Sequence, residues 1–308
     1  MAASYRTKRD DASMRTMMLM LSALLLFCGV APVTVAAKSK VTYASRTQLT
    51  TWLWDAHKII KDSDKVIAEL VSRNVNVLLL QIDDTVDVEY YRQFIRKASL
   101  KEIKVEALDG APQWVAENGA KLQQVFLDWL IKYQATAAKQ EKFTGIHLDV
   151  EPYEHEHYDS NSAQYLEAYQ TMIIRFRNQA DKLRLNFGID IPFWFYGVNY
   201  QNQYGSGNMA EWLCKQVSNI TIMAYRDTAK EILSISAAEM KLFQKYKVRG
   251  TIAVETGRLS ARNNFVTFYE ETKEYMDEQL EIVYQAYKND SAFQGIAIHY
   301  YDSWVAMK

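Results

Sequence analysis

Residues 143–154 read Phe-Thr-Gly-Ile-His-Leu-Asp-Val-Glu-Pro-Tyr-Glu, and this stretch indicates the fold class. Apolar and polar residues alternate along it, which is typical of a strand. Side chains two residues apart point the same way, so His147, Asp149 and Glu151 form one row. Pro152 ends the strand because it cannot donate to a sheet ladder. Two acids this close raise the pKa of one of them and can keep it protonated as a general acid. The alternative is a pair of solvated acids where the strand ends.

Strands and helices alternate on both sides of this stretch. Predicted strands cover residues 51–55, 74–83, 103–109, 145–151, 185–192, 220–225, 250–255 and 295–301. Predicted helices cover residues 63–73, 88–99, 112–139, 162–182, 209–216, 229–246 and 267–288. Eight such strands predict an α/β fold, a single (β/α)8 TIM barrel. A doubly wound open sheet is the alternative, but no Gly-rich phosphate loop follows any strand.

The first 37 residues have the order of a secretory signal. Basic residues precede an apolar run at 17–30, and small residues at 35–37 offer a cleavage site. We therefore predict a signal peptide at 1–37 and the barrel domain at 38–308. An uncleaved anchor is the alternative, although the run is shorter than the roughly 20 residues of a membrane span. Cys28 follows Phe27, which fits a lipoprotein site poorly.

Composition limits the cellular setting and the partners. The chain has 49% hydrophobic residues and a formal net charge of −1, which gives no electrostatic basis for binding nucleic acid. Only Cys214 lies beyond the signal segment, so no internal disulfide is possible there. Export without disulfides is typical of a Gram-positive bacterium, so we expect a secreted or cell-surface monomer. Membrane contact is expected only if the signal segment stays attached.

Polar side chains gather where the predicted strands end. Barrel enzymes work at the C-terminal ends of their strands, so such residues predict one acidic, aromatic-lined pocket. The residues at these ends are Trp54, Asp55, Gln81, Asp83, Asp109, Asp149, Glu151, Asp190, Tyr225, Asp227, Glu255, His299, Tyr301 and Asp302. Asp83 and Asp109 have a second interpretation as turn formers.

Aromatic residues near the same ends suggest a glycan ligand. Trp54, Trp194, Tyr196 and Trp304 would stack on sugar faces, or else pack the barrel mouth. The predicted substrate-binding residues are Trp54, Asp83, Asp190, Trp194, Asp227, His299, Tyr301 and Trp304.

Other chemistries have weaker support in the sequence. His155 and His157 have no third metal ligand nearby, so no metal and no cofactor is predicted. A serine hydrolase elbow is absent from the sequence. An esterase or deacetylase would need metal ligands or a nucleophilic serine, and neither is arranged for it.

Residues 144–151 resemble the fourth-strand signature of family 18 glycoside hydrolases, the chitinase-like barrels, which reads Asp-Gly-x-Asp-x-Asp-x-Glu. Gly145, Asp149 and Glu151 match it, whereas Thr144 and His147 replace its first two acids.

Two further positions extend this resemblance. Residues 222–225 resemble the Met-x-Tyr-Asp of the sixth strand in that family, with Arg226 in place of the Asp and Asp227 one residue later. Trp304 stands where the family has a tryptophan in its last strand.

The resemblance implies a role for each matching residue. Glu151 would protonate the glycosidic oxygen, and Asp149 would orient the N-acetyl group of the substrate, which acts as the nucleophile. Tyr225 would hydrogen-bond that group. An oligo- or polysaccharide containing N-acetylhexosamine, from a cell wall or a host, is the implied substrate.

Two alternatives stay open at this point. Residues 150–152 also resemble the Asn-Glu-Pro of a clan of retaining glycosidases, in which Glu151 would be the acid/base and Glu255 the nucleophile. A barrel that binds glycans without cleaving them is the other. We predict a secreted glycoside hydrolase with catalytic residues Glu151, Asp149, Tyr225 and Glu255.

Overall fold

The computed structural model describes residues 41–308, in which eight parallel strands close into a barrel. The order around the barrel is β1-β10-β9-β8-β5-β4-β3-β2, and β6 and β7 form a separate hairpin. The strands are β1 (Gln48–Leu53), β2 (Val77–Gln81), β3 (Lys104–Asp109), β4 (Gly145–Leu148), β5 (Asn186–Pro192), β6 (Asn199–Asn202), β7 (Gly205–Asn208), β8 (Asn219–Met223), β9 (Arg249–Glu255) and β10 (Phe293–His299).

Helices cover the outside of the barrel. They are α1 (Tyr43–Arg46), α2 (Lys58–Lys61), α3 (Ser63–Ser72), α4 (Val88–Ser99), α5 (Gly119–Thr136), α6 (Tyr158–Leu183), α7 (Met209–Gln216), α8 (Ala229–Tyr246), α9 (Lys273–Tyr287) and α10 (Tyr301–Val305). Within residues 41–308, none of these helices has the length and apolar character required to cross a bilayer. The predicted signal peptide lies outside the described residues.

The barrel separates two hydrophobic layers. Outward-facing strand residues such as Ile146 and Leu148 pack against the helices in one continuous core. A smaller cluster inside the barrel contains Trp52, Leu79 and Leu108. Because successive strand residues face opposite sides, residues in register with Trp52 point toward the barrel axis. This alternation also places His147 of β4 and Asp190 of β5 inside the barrel.

The predicted (β/α)8 barrel is confirmed. The predicted limits match those of α4, α7 and α8. Each of these helices has one apolar face and polar residues at its ends. Between the predicted strand at 185–192 and the predicted helix at 209–216, β6 and β7 pair as an antiparallel hairpin. The helix predicted from residue 267 begins at Lys273, because Phe268 N–H still bonds to the Glu255 carbonyl at 2.9 Å.

Glu239 on α8 provides a test of the packing outside the barrel. Its side chain is buried, and within residues 41–308 neither carboxyl oxygen has a side-chain or main-chain group at hydrogen-bond distance and angle. Burial raises its pKa from 4.5 to about 7, against a smaller opposing effect of backbone N–H groups. A raised carboxyl pKa costs stability once pH exceeds the unfolded value, and the cost is complete above the folded value. We therefore expect wild-type stability to fall between pH 4.5 and 8 by up to about 3 kcal/mol more than that of Glu239→Gln.

Urea unfolding of both proteins at pH 4.5 and pH 8 measures this difference. The exposed Glu270→Gln serves as the matched control and is expected to follow the wild type. Equal pH dependence in Glu239→Gln and wild type would contradict the assignment of a buried, neutral Glu239.

Candidate active site

The inner face of β4 and the residues just after it form the floor of the candidate site. The β4 ladder continues one residue further, because Asp149 N–H donates to the Asp109 carbonyl at 3.2 Å. Asp149 and Glu151 thereby remain in the row that begins with the buried His147. Pro152 then starts a short 3-10 turn, Pro152–Glu154, that turns the chain away from the mouth.

Asp149 and Glu151 are two interacting, poorly solvated acids. Burial raises the pKa of Asp149 well above its usual value, and the charges of Asp190, Glu151 and Glu255 raise it further. Its Oδ1 atom is buried without a hydrogen-bond partner among the described residues. Burial also raises the pKa of Glu151, although a hydrogen bond from the Tyr153 hydroxyl opposes the rise. Two carboxyls with raised pKa values therefore lie side by side at the barrel mouth, and one of their oxygens lacks a hydrogen-bond partner among the described residues.

A buried polar network lies directly below these acids. His147 Nε2 is 2.8 Å from Asp190 Oδ1, and Trp52 Nε1 donates to Asp190 Oδ2 at 3.1 Å. His147 Nδ1 lies 3.9 Å from Glu106 Oε2 on β3. Burial opposes the charge of His147, but the charge and hydrogen bond of Asp190, together with Glu106, raise its net pKa. The network therefore places His147, with its raised pKa, between two acids.

Two glycines make room for this network. A Cβ atom at Gly188 would lie 2.7 Å from His147 Nδ1, and one at Gly145 would lie 2.6 Å from the carboxyl of Glu106. Both contacts are shorter than real Cβ atoms tolerate. The Gly145 of the sequence signature thus has a packing role in this chain.

Glu255 and His299 form the opposite wall of the site. Trp54 Nε1 donates to His299 Nε2 at 3.0 Å, so that ring nitrogen acts as an acceptor. His299 Nδ1 then carries the proton and donates to Glu255 Oε2 at 2.7 Å. Glu255 Oε1 accepts from the N–H groups of Thr256, at 2.8 Å, and Gly257, at 2.5 Å. Both oxygens of Glu255 are therefore occupied by hydrogen bonds.

Aromatic rings surround the acids at the mouth. Tyr225 lies over the His299 ring with centroids 6.0 Å apart, and burial raises its pKa well above the usual value. Trp194 meets Tyr153 edge-on at 4.7 Å, and Tyr153 in turn donates to Glu151. These rings place aromatic surface at the mouth while their polar atoms remain near the carboxyls.

The structure brings most of the predicted site residues together. Those that meet around the barrel axis are Asp149, Glu151, Asp190, Tyr225, Glu255, His299, Trp54 and, at the edge, Trp194. Asp190 lies one layer deeper than its position near the strand end suggested, with 2% of its surface exposed. It therefore supports the acids from below.

Four predicted substrate-binding residues lie elsewhere. Asp83 accepts hydrogen bonds from Thr85 in a turn, which is the alternative role that the sequence allowed. Asp227 lies near Glu231 and Glu271 beside the outer helices.

Tyr301 and Trp304 belong to α10 and are 4% and 2% exposed in the outer core. Trp304 packs under Arg73, whose guanidinium carbon is 5.6 Å from its ring.

Sequence reasoning missed four contributors to the site, namely Trp52, Glu106, Tyr153 and Tyr300. Strand alternation could have found two of them. Trp52 is two residues before Trp54, and Glu106 is two before the inward-facing Leu108. Tyr153 and Tyr300 follow the strands, where alternation no longer applies.

Two other kinds of site were considered: a cavity at the opposite end of the barrel and a cluster of metal ligands. A cavity of about 580 Å³ lies at the N-terminal ends of the strands, lined by residues such as Gln48, Lys104 and Gln294. Within residues 41–308, no group of three or more His, Cys, Asp and Glu side chains is arranged to hold a metal ion.

Comparison with known proteins supports the fold. The chain is similar to a candidate α-L-fucosidase from Bacteroides thetaiotaomicron, with 12% identity and a TM-score of 0.53 over 89% of this chain and 91% of that one. It is also similar to the spore cortex-lytic enzyme SleL of Bacillus megaterium, with 8% identity and a TM-score of 0.51 over 82% and 70%. A class V chitinase mutant of Cycas revoluta, solved with (GlcNAc)3, shares 10% identity, with a TM-score of 0.49 over 83% and 95%.

The similarities to the fucosidase and to SleL confirm the barrel fold. No protein-family model matches the sequence, and no curated protein matches it. The chemistry of the site therefore has to be argued from its own side chains.

Proposed function

We propose that this chain is a glycoside hydrolase in which Glu151 is the general acid and the N-acetyl group of the substrate is the nucleophile. The observation that carries the proposal is the pair of partly buried acids, Asp149 and Glu151, at the mouth of the barrel. Burial raises the pKa of both carboxyls, which favours the protonated form that a general acid requires. The unpartnered Oδ1 of Asp149 is free to accept the N–H of an acetamido group. The sequence of residues 1–37 supports export to the cell surface or medium.

The proposed reaction has two steps. Protonated Glu151 gives its proton to the glycosidic oxygen, the C1–O bond breaks, and the acetamido oxygen bonds to C1. Asp149 holds the acetamido N–H while the Tyr225 hydroxyl donates to the group. Water then attacks C1, and the bond between C1 and the acetamido oxygen breaks, which opens the ring formed in the first step. The Glu151 carboxylate takes up the proton released by the water. The enzyme returns to its starting state.

The arrangement of Glu255 favours this scheme over double displacement. Glu255 is close enough for its charge to raise the pKa of Asp149, which keeps it a candidate nucleophile. Three hydrogen bonds, from Thr256, Gly257 and His299, already disperse its charge. A carboxylate held in this way is a weaker nucleophile, so we assign it to fixing the tautomer of His299.

A matched pair of substrates tests which group attacks C1. We expect an aryl N-acetyl-β-glucosaminide to be cleaved at least about 1,000-fold faster than the aryl β-glucoside, because only the first carries the internal nucleophile. Release of the aryl group measures both rates. Glu255→Ala with added azide is the control, and no glycosyl azide is expected. Comparable cleavage of the glucoside, with glycosyl azide formed by Glu255→Ala, would assign double displacement.

A further inference from the structure

Arg226 occupies an unusual position beside the candidate site. It follows Tyr225 directly, after the end of β8, where the motif that this stretch resembles has an aspartate. Its guanidinium carbon lies 5.1 Å from the ring centre of Phe193 and 5.3 Å from that of Phe265. Phe193 directly follows β5 and Phe265 lies in the loop after β9, and these two strands flank β8 in the barrel. The guanidinium is therefore held between two aromatic rings beside the mouth of the barrel.

The described part of the chain gives this guanidinium no anionic partner. Its Nη1 donates to the Tyr225 carbonyl at 2.7 Å. Among residues 41–308, no carboxylate oxygen lies within 4.0 Å of its nitrogens, whereas Arg73 and Arg96 are each paired with a glutamate. Asp227 is near enough for Arg226 to lower its pKa, but burial dominates and that pKa is raised overall. Arg226 therefore keeps several N–H donors for an external acceptor, on a side chain held between two rings.

The loop after β9 adds positive charge and aromatic surface next to Arg226. Arg258 and Arg262 are exposed there, and Arg258 lies 5.9 Å from the ring centre of Tyr269. Phe265 and Tyr269 are 44% and 47% exposed. Aromatic faces suit the C–H face of a sugar, and an arginine fork suits a carboxylate. One side of the mouth thus fits a sugar that carries a carboxyl group.

We propose that Arg226 binds the carboxylate of an acidic sugar unit, so that the substrate class is a carboxylate-bearing N-acetylated glycan. This inference rests on the proposed function, because it concerns the same site. It adds a carboxylate on the substrate, which the proposed roles of Glu151 and Asp149 do not require. A charge-assisted bidentate contact predicts an affinity gain of about 10- to 100-fold over the same glycan without the carboxylate.

Calorimetric binding to Glu151→Gln tests the proposal without turnover. Three probes are used. The first is a glycan in which N-acetylglucosamine alternates with its lactyl-ether derivative, which carries the carboxyl group. The second is the same glycan after its carboxyl groups have been reduced, and the third is an oligo-uronate. We expect the carboxylated glycan to bind about 10- to 100-fold more tightly than its reduced form. Adding Arg226→Gln should remove this preference and leave affinity for the reduced form within about threefold. Arg226→Lys should retain part of the preference, because it keeps the charge and loses the fork.

The controls separate this inference from the proposed function. Arg46→Gln, at the opposite end of the barrel, is the matched control and should leave the preference unchanged. Oligo-uronate binding that depends on Arg226 would extend the site to any sugar carboxylate, and its absence would restrict the site to the ether substituent. Equal binding of carboxylated and reduced glycans, no binding of either, or a preference that survives Arg226→Gln would overturn the proposal. If wild type cleaves the carboxylated and the reduced glycan equally, the proposed glycosidase function is supported and the role of Arg226 is refuted. If the glycans show an Arg226-dependent binding preference but are not cleaved, the role of Arg226 is supported and the glycosidase function is refuted.

Discussion

Replacing Glu151 with Gln is expected to lower kcat on N-acetylated oligosaccharides by about 1,000-fold, because the amide cannot give a proton to the leaving oxygen. Ground-state binding should change little, since the amide has nearly the same shape. Burial raises the pKa of Glu151, so the protonated form persists to higher pH than in an exposed glutamate. Wild-type activity should therefore fall as pH rises through that pKa, and the variant should lack this limb of the profile.

Glu154→Gln is the matched control for this experiment. Glu154 is an exposed acid three residues further along the same segment, and its charge contributes to the raised pKa of Glu151. Its loss should lower the Glu151 pKa slightly, so the basic limb should shift to lower pH while the maximal rate stays within about threefold. If Glu151→Gln keeps wild-type kcat, Glu151 is not the acid.

His147→Leu is expected to lower the free energy of unfolding by about 3–5 kcal/mol, because it removes the ring that pairs with the buried carboxyl of Asp190 at 2.8 Å. The expected effect depends on pH in a defined direction. The folded pKa of His147 is raised, so its stabilising contribution is complete below the unfolded value, about 6.5, and is lost as pH rises through the folded value. The difference between wild type and variant should therefore be larger at pH 6 than at pH 9.

A double-mutant cycle isolates the His147–Asp190 pair. Asp190→Asn in the His147→Leu background should recover part of the lost stability, because no buried charge remains. His157→Leu, at an exposed position, should have little effect on unfolding in urea. Additive effects of His147→Leu and Asp190→Asn would contradict a direct pair between these side chains.

The barrel and the inner row of acids could be predicted because both depend on local periodicity. Near-continuous apolar strands such as β2 indicate a sheet covered on both faces, and a period of two fixes which side chains share a face. Asp149 and Glu151 follow from this rule, as do the positions of Tyr225 and Glu255 at strand ends.

The remaining differences arise where periodicity ends. Strand alternation gives the face of Asp190 but not its depth, which depends on how neighbouring strands are staggered around the barrel. Tyr301 and Trp304 follow β10 and enter α10, so their direction is set by the helix and by Arg73. The contacts of Arg226 join residues after three different strands, and no local pattern could have brought Phe193 and Phe265 to it.

Hydrolysis in water enriched in ¹⁸O tests the central claim most directly. The protein comprising residues 38–308 is incubated with an N-acetylated oligosaccharide, and the products are weighed by mass spectrometry. The proposed function predicts shorter oligosaccharides with one ¹⁸O at each new reducing end, and none of them from Glu151→Gln. An intact oligosaccharide that remains bound to the wild-type protein would contradict it, and would leave a barrel that binds glycans without cleaving them.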